Sequence, residues 1–289
     1  MTDRKRKQKP EVSIIGSGRL GTTLAVVLAR RGYPIQSLVG RTLQSARKAA
    51  RFLDAEVQVL AAGRLHSLRP ASIFLITVPD DQIAGVAEEL SRVDFNSGRG
   101  PTAFHTSGAL SSDLLEPLRK KGWHTGSIHP LVSVSHAGAP LEGGFWSVEG
   151  DNSAVRTGKA MVRDLGGKSF SIRTEDKPLY HAAAVMVSGN VVALFDVALE
   201  MLADCGLKRQ TAQEILLPLI TSTVRNLETK DPAHALTGTF SRGDLETVKR
   251  HLAALNGNQE ALELYRLLGK RSLRLTKKHP QITQMLDSV

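Results

Sequence analysis

The hydrophobic pattern begins with a short β-rich run, Val12 to Ile15, followed by a glycine-rich turn, Gly16-Ser17-Gly18-Arg19-Leu20-Gly21. Leu20, Thr23, Leu24, Val27 and Leu28 then recur at helical spacing up to Gly32, and Ile35 to Val39 is a second apolar run. Together they predict a β-α-β unit of about 30 residues. The alternation continues, with strands expected at Val57 to Leu60, Ile73 to Val78, Thr102 to Thr106, Trp123 to Ile128, Phe145 to Val148 and Ser169 to Ile172. Helical patterns lie between them: one starts at Asp80-Asp81 with Ile83, Val86, Ala87 and Leu90 inward, one is capped by Ser111-Ser112-Asp113, and one runs from Ser153 to Leu165. Such alternation predicts a doubly wound α/β sheet of seven or eight strands.

The periodicity changes at Thr174. From Asp176 to Ala203 the chain reads as one long helix, with Pro178 in the first turn, where its missing N–H costs nothing. Ala182 to Val187 and Val191 to Phe195 make it apolar on nearly every side. A helix apolar all round must be buried all round, which a domain of about 115 residues cannot do alone, so a homodimer interlocked through this helix is expected. Further helices follow at Thr211 to Leu227, interrupted near Pro218, at Asp244 to Leu255 and at Gln259 to Leu268. The expected organisation is a basic arm (1–10), a Rossmann-type dinucleotide-binding domain (11–173) and an all-α substrate and dimerisation domain (174–289). A length of 289 residues suits two domains.

The glycine turn sits where a dinucleotide phosphate cradle belongs. Gly16 permits the tight turn, Gly18 lets backbone approach a pyrophosphate, and Gly21 lets helix pack on strand, with Ser17, Arg19 and Leu20 between them. The same spacing also closes a helix onto a sheet without any ligand. After the second strand an NAD enzyme carries an acid for the ribose hydroxyls, but here the chain reads Gly40-Arg41-Thr42. A guanidinium holds a 2′-phosphate with paired charged hydrogen bonds and Thr42 adds a donor, so NADP is expected, unless Arg41 is an ordinary solvated charge.

Net charge is +10, and Arg4, Lys5, Arg6, Lys7 and Lys9 account for an arm expected to be disordered, with Lys277 and Lys278 near the other end. Aromatics are only 4% and do not interleave with these charges, which argues against a dedicated nucleic-acid function. No uninterrupted apolar run of about 18 residues and no apolar leader are seen, so no membrane segment is expected. Cys205 stands alone; it excludes an intrachain disulfide, is read as a buried structural thiol and suits a reducing cytoplasm. His105, His124 and His136 lack zinc spacing, and no metal is expected.

Ligands of doubly wound sheets bind beyond the carboxyl ends of the strands. Three such ends are polar: Thr77-Val78-Pro79-Asp80, with Asp80 a helix cap; His105-Thr106-Ser107-Gly108; and Ser127-Ile128-His129-Pro130-Leu131. Val78, Pro79 and Thr106 would adjoin the cofactor. His129 is the candidate general acid or base, because an imidazole titrates near neutrality; a backbone-bonded strand-end imidazole is the alternative. In the long helix Lys177, His181 and Ser188 share a face, Lys177 also reading as a solvated first-turn lysine, and Gly189-Asn190 suggests close approach by a helix or a cofactor. The loop Leu236 to Asp244, with Arg242, suits an anion, although Asp244 as a cap explains part of it.

This order of motifs, from Gly16–Gly21 through Gly40-Arg41-Thr42, Val78-Pro79, His105 to Gly108 and His129-Pro130 to the Gly238–Asp244 loop with Thr247-Val248 and His251-Leu252, resembles Rossmann-like proteins with a helical C-terminal domain of unknown function, grouped with NADP oxidoreductases. The Glu175 to Asn190 segment is similar to the helix of pyrroline-5-carboxylate reductases, which dimerise through interlocked helical domains. Its lysine and asparagine resemble those of hydroxyacid dehydrogenases, and Ser107 with His129-Pro130 resembles prephenate dehydrogenases, whose histidine contacts the substrate hydroxyl. The expected function is an NADP-dependent oxidoreductase acting on a small carbonyl, imine or hydroxy acid between the two domains. His129 would move the proton, Ser107 and Asn190 would orient substrate beside His181, and Lys177 or Arg242 would neutralise an acidic group. A non-catalytic NADP-binding sensor or assembly protein is the alternative.

Overall fold

The computed structural model describes residues 8–95, 100–276 and 279–287. The arm residues Arg4 to Lys7, and Lys277 and Lys278, lie outside the described residues. Lys9, expected in the arm, is instead tied down: its ammonium pairs with Asp164, which also accepts a 2.6 Å bond from the Tyr33 hydroxyl.

The first part of the chain runs β1 (Val12–Ile15), α1 (Arg19–Arg30), β2 (Ile35–Gly40), α2 (Leu43–Ala50), β3 (Gln58–Ala61), β4 (Ile73–Ile76), α3 (Ile83–Leu90), β5 (Thr102–His105), α4 (Glu116–Arg119), β6 (His124–Leu131), β7 (Phe145–Gly150), α5 (Asn152–Asp164) and β8 (Lys168–Phe170). They form one eight-stranded sheet in the order β3-β2-β1-β4-β5-β6-β7-β8. β1 to β6 are parallel; β7 runs antiparallel to β6, and β8 runs parallel to β7, so the last two strands oppose the other six. α2 has no counterpart in the apolar pattern; it starts because Thr42 and Ser45 cap each other's backbone reciprocally. Strand side chains alternate between two cores: α1 and α5 cover Ile14, Leu75 and Trp146, while α3 and α4 cover Ile15, Phe74 and Ile76. The chain leaves β1 for β2 on one side and meets β4 on the other, so a crevice opens beyond the carboxyl ends of β1 and β4.

The chain divides into two compact units, Met1–Ser188 and Gly189–Val289. This division falls after the expected 173/174 boundary, because the helix α6 (Lys177–Met186) belongs to the sheet's unit. The single long helix is in fact two: α7 (Gly189–Asp204) begins afresh after a turn at Val187 and Ser188. There the Ser188 amide reaches back only three residues, to the Val185 carbonyl, while its hydroxyl caps the Ala184 carbonyl at 2.7 Å. Ser188 therefore does not share a helical face with Lys177 and His181.

α8 (Arg209–Thr229) continues straight through Pro218, and α9 (Pro232–Ala235), α10 (Thr239–Arg242), α11 (Leu245–Leu255), α12 (Gln259–Thr276) and α13 (Pro280–Asp287) follow. A small core of Val248, Leu273, Ile282 and Leu286 holds α11 to α13. Cys205 is exposed rather than buried, because α7 has ended and the chain reverses at Gly206, whose φ is 84°. Within α7 only Leu199 is buried. The stretch Thr174–Asp204 is long and apolar enough to cross a membrane by length and composition, one 18-residue window within it having a mean hydropathy of 1.9, contrary to the sequence expectation. Charged residues, Asp196 and Glu200 among them, interrupt it as well.

Candidate active site

Each glycine of the turn has a different physical reason. Gly16 has φ of 120°, and a Cβ there would lie 2.5 Å from the Thr77 carbonyl oxygen. A Cβ on Gly21 would lie 1.8 Å from the Gly16 carbonyl oxygen, to which the Thr77 hydroxyl also donates at 2.7 Å. These two glycines are demanded by the packing of α1 against β1 and β4. Gly18 is not: its φ of −71° suits any residue, and a Cβ there would meet nothing within 4 Å. It is the N-cap of α1, whose first amides receive no side-chain cap. Free helix-start amides beside open space are what a pyrophosphate requires.

That space is a cavity of about 360 Å³ beyond β1, β2 and β4. Gly16, Ser17, Gly18, Arg41, Thr42, Val78 and Pro79 line it, as does Ser45, which the sequence pattern did not single out. Arg41 and Thr42 are exposed, and the start of α2 carries no acid. The acid on the wall is Glu89 of α3, not a residue at the end of β2. Arg19, Leu20 and Thr106 do not line the cavity. Arg19 faces solvent, Leu20 packs on the core, and the Thr106 amide donates to the Ile76 carbonyl at 3.2 Å.

A second polar group gathers beyond β5, β6 and β7. Lys177 is wholly buried, neither solvated nor free for a ligand: its ammonium donates to the Ser127 hydroxyl at 2.7 Å and lies 3.3 Å from the Glu149 carboxylate. Burial pulls its pKa down while Glu149 opposes the shift. The acid Lys177 neutralises is thus internal. Glu149 also accepts from the Ser112 amide at 2.9 Å and hydroxyl at 2.8 Å. Ser107 is similarly engaged: its hydroxyl donates to Asp80 at 2.8 Å and accepts from the amides of Ala109 and Leu110, so it holds the turn rather than standing free for substrate.

Beside this network stand His129, Tyr180 and His181. His129 Nδ1 lies 2.8 Å from the Tyr180 hydroxyl, and its ring meets that of His181 edge to face at 5.4 Å. Both imidazoles sit over Gly108, where a Cβ would lie 2.4 Å from His181 and 2.7 Å from His129. Burial above all, with further opposition to a proton from His181, Lys177 and His105, lowers the His129 pKa to about 4. His105, buried and accepting from the Ser107 amide, is likewise lowered to about 4. Both rings are neutral at neutral pH, and His129 is bonded to a side chain, not to backbone.

Asn190 and Arg242 belong to the second unit, and both are exposed. In the Arg242 loop, Gly243 has φ of 72° and the His279 ring stacks where its Cβ would be, while Asp244 caps α11 through the Thr247 amide at 3.1 Å. Packing and capping account for that loop's glycine and acid. Tyr180, Asp80 and Glu149 are the site residues that the pattern did not assign to a site. Among the described residues no cluster of acids, histidines or cysteines could hold a metal.

A profile for a Rossmann-like domain matches residues 2–130, and the domain of unknown function DUF2520 matches residues 145–272. The chain is 24% identical over 204 residues to the glycerol-3-phosphate dehydrogenase [NAD(P)+] of Chlorobium limicola, a match covering 65% of this chain and 59% of that protein. An assigned NADP oxidoreductase of Bacteroides fragilis shares the fold with a TM-score of 0.77 at 22% identity, over 92% of this chain and 99% of that one. A reductive aminase of Aspergillus terreus, solved with NADPH and ethyl levulinate, superposes with a TM-score of 0.64 at 16% identity (92% and 94% covered). A pyrroline-5-carboxylate reductase of Coxiella burnetii does so at 0.59 and 17% identity (93% and 100% covered). These relatives share the fold of nicotinamide-dependent oxidoreductases. The chain thus joins a Rossmann-like domain to a C-terminal DUF2520 domain.

Proposed function

We propose that this protein is an NADP-dependent oxidoreductase acting on a small carbonyl, imine or hydroxy acid. The observation that carries the reading is Gly18, a glycine that no contact within the protein requires, at an uncapped helix start facing the cavity. A pyrophosphate would lie against Gly16 to Gly18, with Arg41 and Thr42 toward the 2′-phosphate. When bound, the nicotinamide supplies or takes the hydride. His129 moves the accompanying proton: a neutral imidazole donates through one nitrogen and accepts through the other. Gly108 leaves room for its ring, and Lys177 with Glu149 keeps α6 in place.

We further infer that a second copy of the chain covers α7 and α8. Val192 on α7 and Leu219 on α8 are 70% and 65% exposed, and Leu194, Ile215, Leu217, Val224 and Leu227 are exposed with them. An apolar area of this extent on a folded unit marks an interface. Asp196 and Glu200 on α7, with the Arg209 pair to Asp196, favour a protein partner over lipid. With a lone thiol and this cofactor, the cytoplasm is the proposed location.

Fluorescence titration should show NADPH bound more tightly than NADH. Gly18→Val should leave thermal stability unchanged yet weaken both at least tenfold, whereas Arg41→Ala should cost NADPH about tenfold and NADH nothing, the scale of a charged hydrogen bond; equal binding by Gly18→Val and the parent would remove the cradle. Against a panel of carbonyls, imines and hydroxy acids, His129→Ala should keep NADPH binding and lose at least a hundredfold in kcat. NADPH binding with no turnover of any panel member points to the sensor. Sedimentation at micromolar concentration should give a dimer, and Val192→Glu with Leu219→Glu a monomer; a parent monomer refutes the interface, and recovery only with detergent indicates a membrane.

A further inference from the structure

We propose that Tyr180 is a positioning residue for His129: its phenol donates to Nδ1 and holds the neutral ring as the tautomer with hydrogen on Nε2, the atom left to meet a substrate. The proposal deepens the reading of His129 as the proton-moving group and rests on it.

The geometry is set by the helix. Tyr180 stands three residues beyond Lys177, one turn along α6, so the buried ammonium that fixes the first turn also fixes the phenol beside β6. Phe170 holds the tyrosine ring from β8, with ring centres 5.8 Å apart. The phenol oxygen then lies 2.8 Å from His129 Nδ1, and Nε2 has no hydrogen-bond partner among the described residues.

The direction of the bond follows from what surrounds the phenol. Ser147 lies directly across from His129 in the antiparallel register, and its buried hydroxyl has no hydrogen-bond partner among the described residues, so the one group bonded to the phenol oxygen is His129 Nδ1. A buried hydroxyl hydrogen left unpaired is costly, so the phenol gives its hydrogen to Nδ1 rather than accepting one from it. The phenol, kept protonated by burial, is then left with one hydrogen and one acceptor in reach, Nδ1. Beside Tyr180, the ionisable groups that act most on His129 are His181, Lys177 and His105, and each of these three lowers its pKa. Nothing favours the imidazolium, so what remains to be specified in this ring is its tautomer.

The test is nitrogen NMR of the full-length protein labelled with ¹⁵N-histidine, His129 being assigned by its absence in His129→Gln. The parent should show the Nε2–H tautomer, with Nδ1 shifted as an acceptor. In Tyr180→Phe, which keeps the ring, the two tautomers should mix and the His129 pKa should rise, because a donor to the neutral form has gone. A parent in the Nδ1–H form, an unchanged tautomer in Tyr180→Phe, or a fall in pKa overturns the proposal. NADPH binding by the variant is the control for folding, and the parent tautomer decides if the variant fails it. With an active substrate, kcat should drop about tenfold while KM for NADPH holds. The NMR result needs no turnover, so loss of the oxidoreductase reading and loss of the tyrosine's role are separately visible.

Discussion

The ammonium of Lys177 is the constraint on which the site depends. Burying a charge costs several kcal/mol unless a counter-charge and hydrogen bonds replace water. Here Glu149 supplies the charge, and the Ser127 hydroxyl and the Ser107 carbonyl supply acceptors. The three come from β7, the middle of β6 and the turn after β5, so the first turn of α6 is pinned to three neighbouring points of the sheet. One turn later the helix delivers Tyr180 and His181 to His129. Glu149 extends the same constraint by holding Ser112, which begins the next helical turn after the strand. Loss of either charged partner would leave the other buried and unpaired, so the arrangement tolerates little change even though none of these groups faces the cavity.

The cradle is built on a different principle, steric rather than ionic. Thr77 lies against both Gly16 and Gly21, and its hydroxyl bonds the Gly16 carbonyl, so β1, α1 and β4 meet at one point. That contact explains two glycines completely and leaves the third without an internal reason. A position unconstrained by its own protein, where the backbone is nonetheless bare, is where a ligand's demand can be read from structure.

The sheet was legible because its signals are local. Apolar runs and glycine spacing depend on neighbours within about 20 residues, and they placed the strands and the turn correctly. What was not legible depended on partners distant in sequence. Lys177 reads as solvated at the start of a helix because nothing near it shows Glu149, which arrives through β7. Tyr180 sits in an apolar stretch like any packing aromatic. Asp80 begins a helical turn but, contrary to the expectation, caps none with its side chain; its carboxylate takes the Ser107 hydroxyl. The break at Val187 and Ser188 escaped because a single small serine after an apolar valine does not mark a helix end, and α2 escaped because a capping box, not an apolar face, starts it. Cys205 was misplaced for a related reason: apolar neighbours in sequence do not bury a residue that follows the end of its helix.

The two halves of the site differ in how readily they could change. Arg41 and Thr42 are exposed and touch the fold chiefly through the cap of α2, so the group that selects between cofactors could be exchanged with little effect on packing. His129 is enclosed by β7, α6 and the turn at Gly108, and its neutrality follows from that enclosure rather than from any single neighbour. Altering its protonation would need a carboxylate placed among His105, His181 and Lys177, where it would compete with Glu149 for the buried ammonium. The proton chemistry proposed for His129 is therefore bound to the core of this fold, while the proposed cofactor preference stands at its surface.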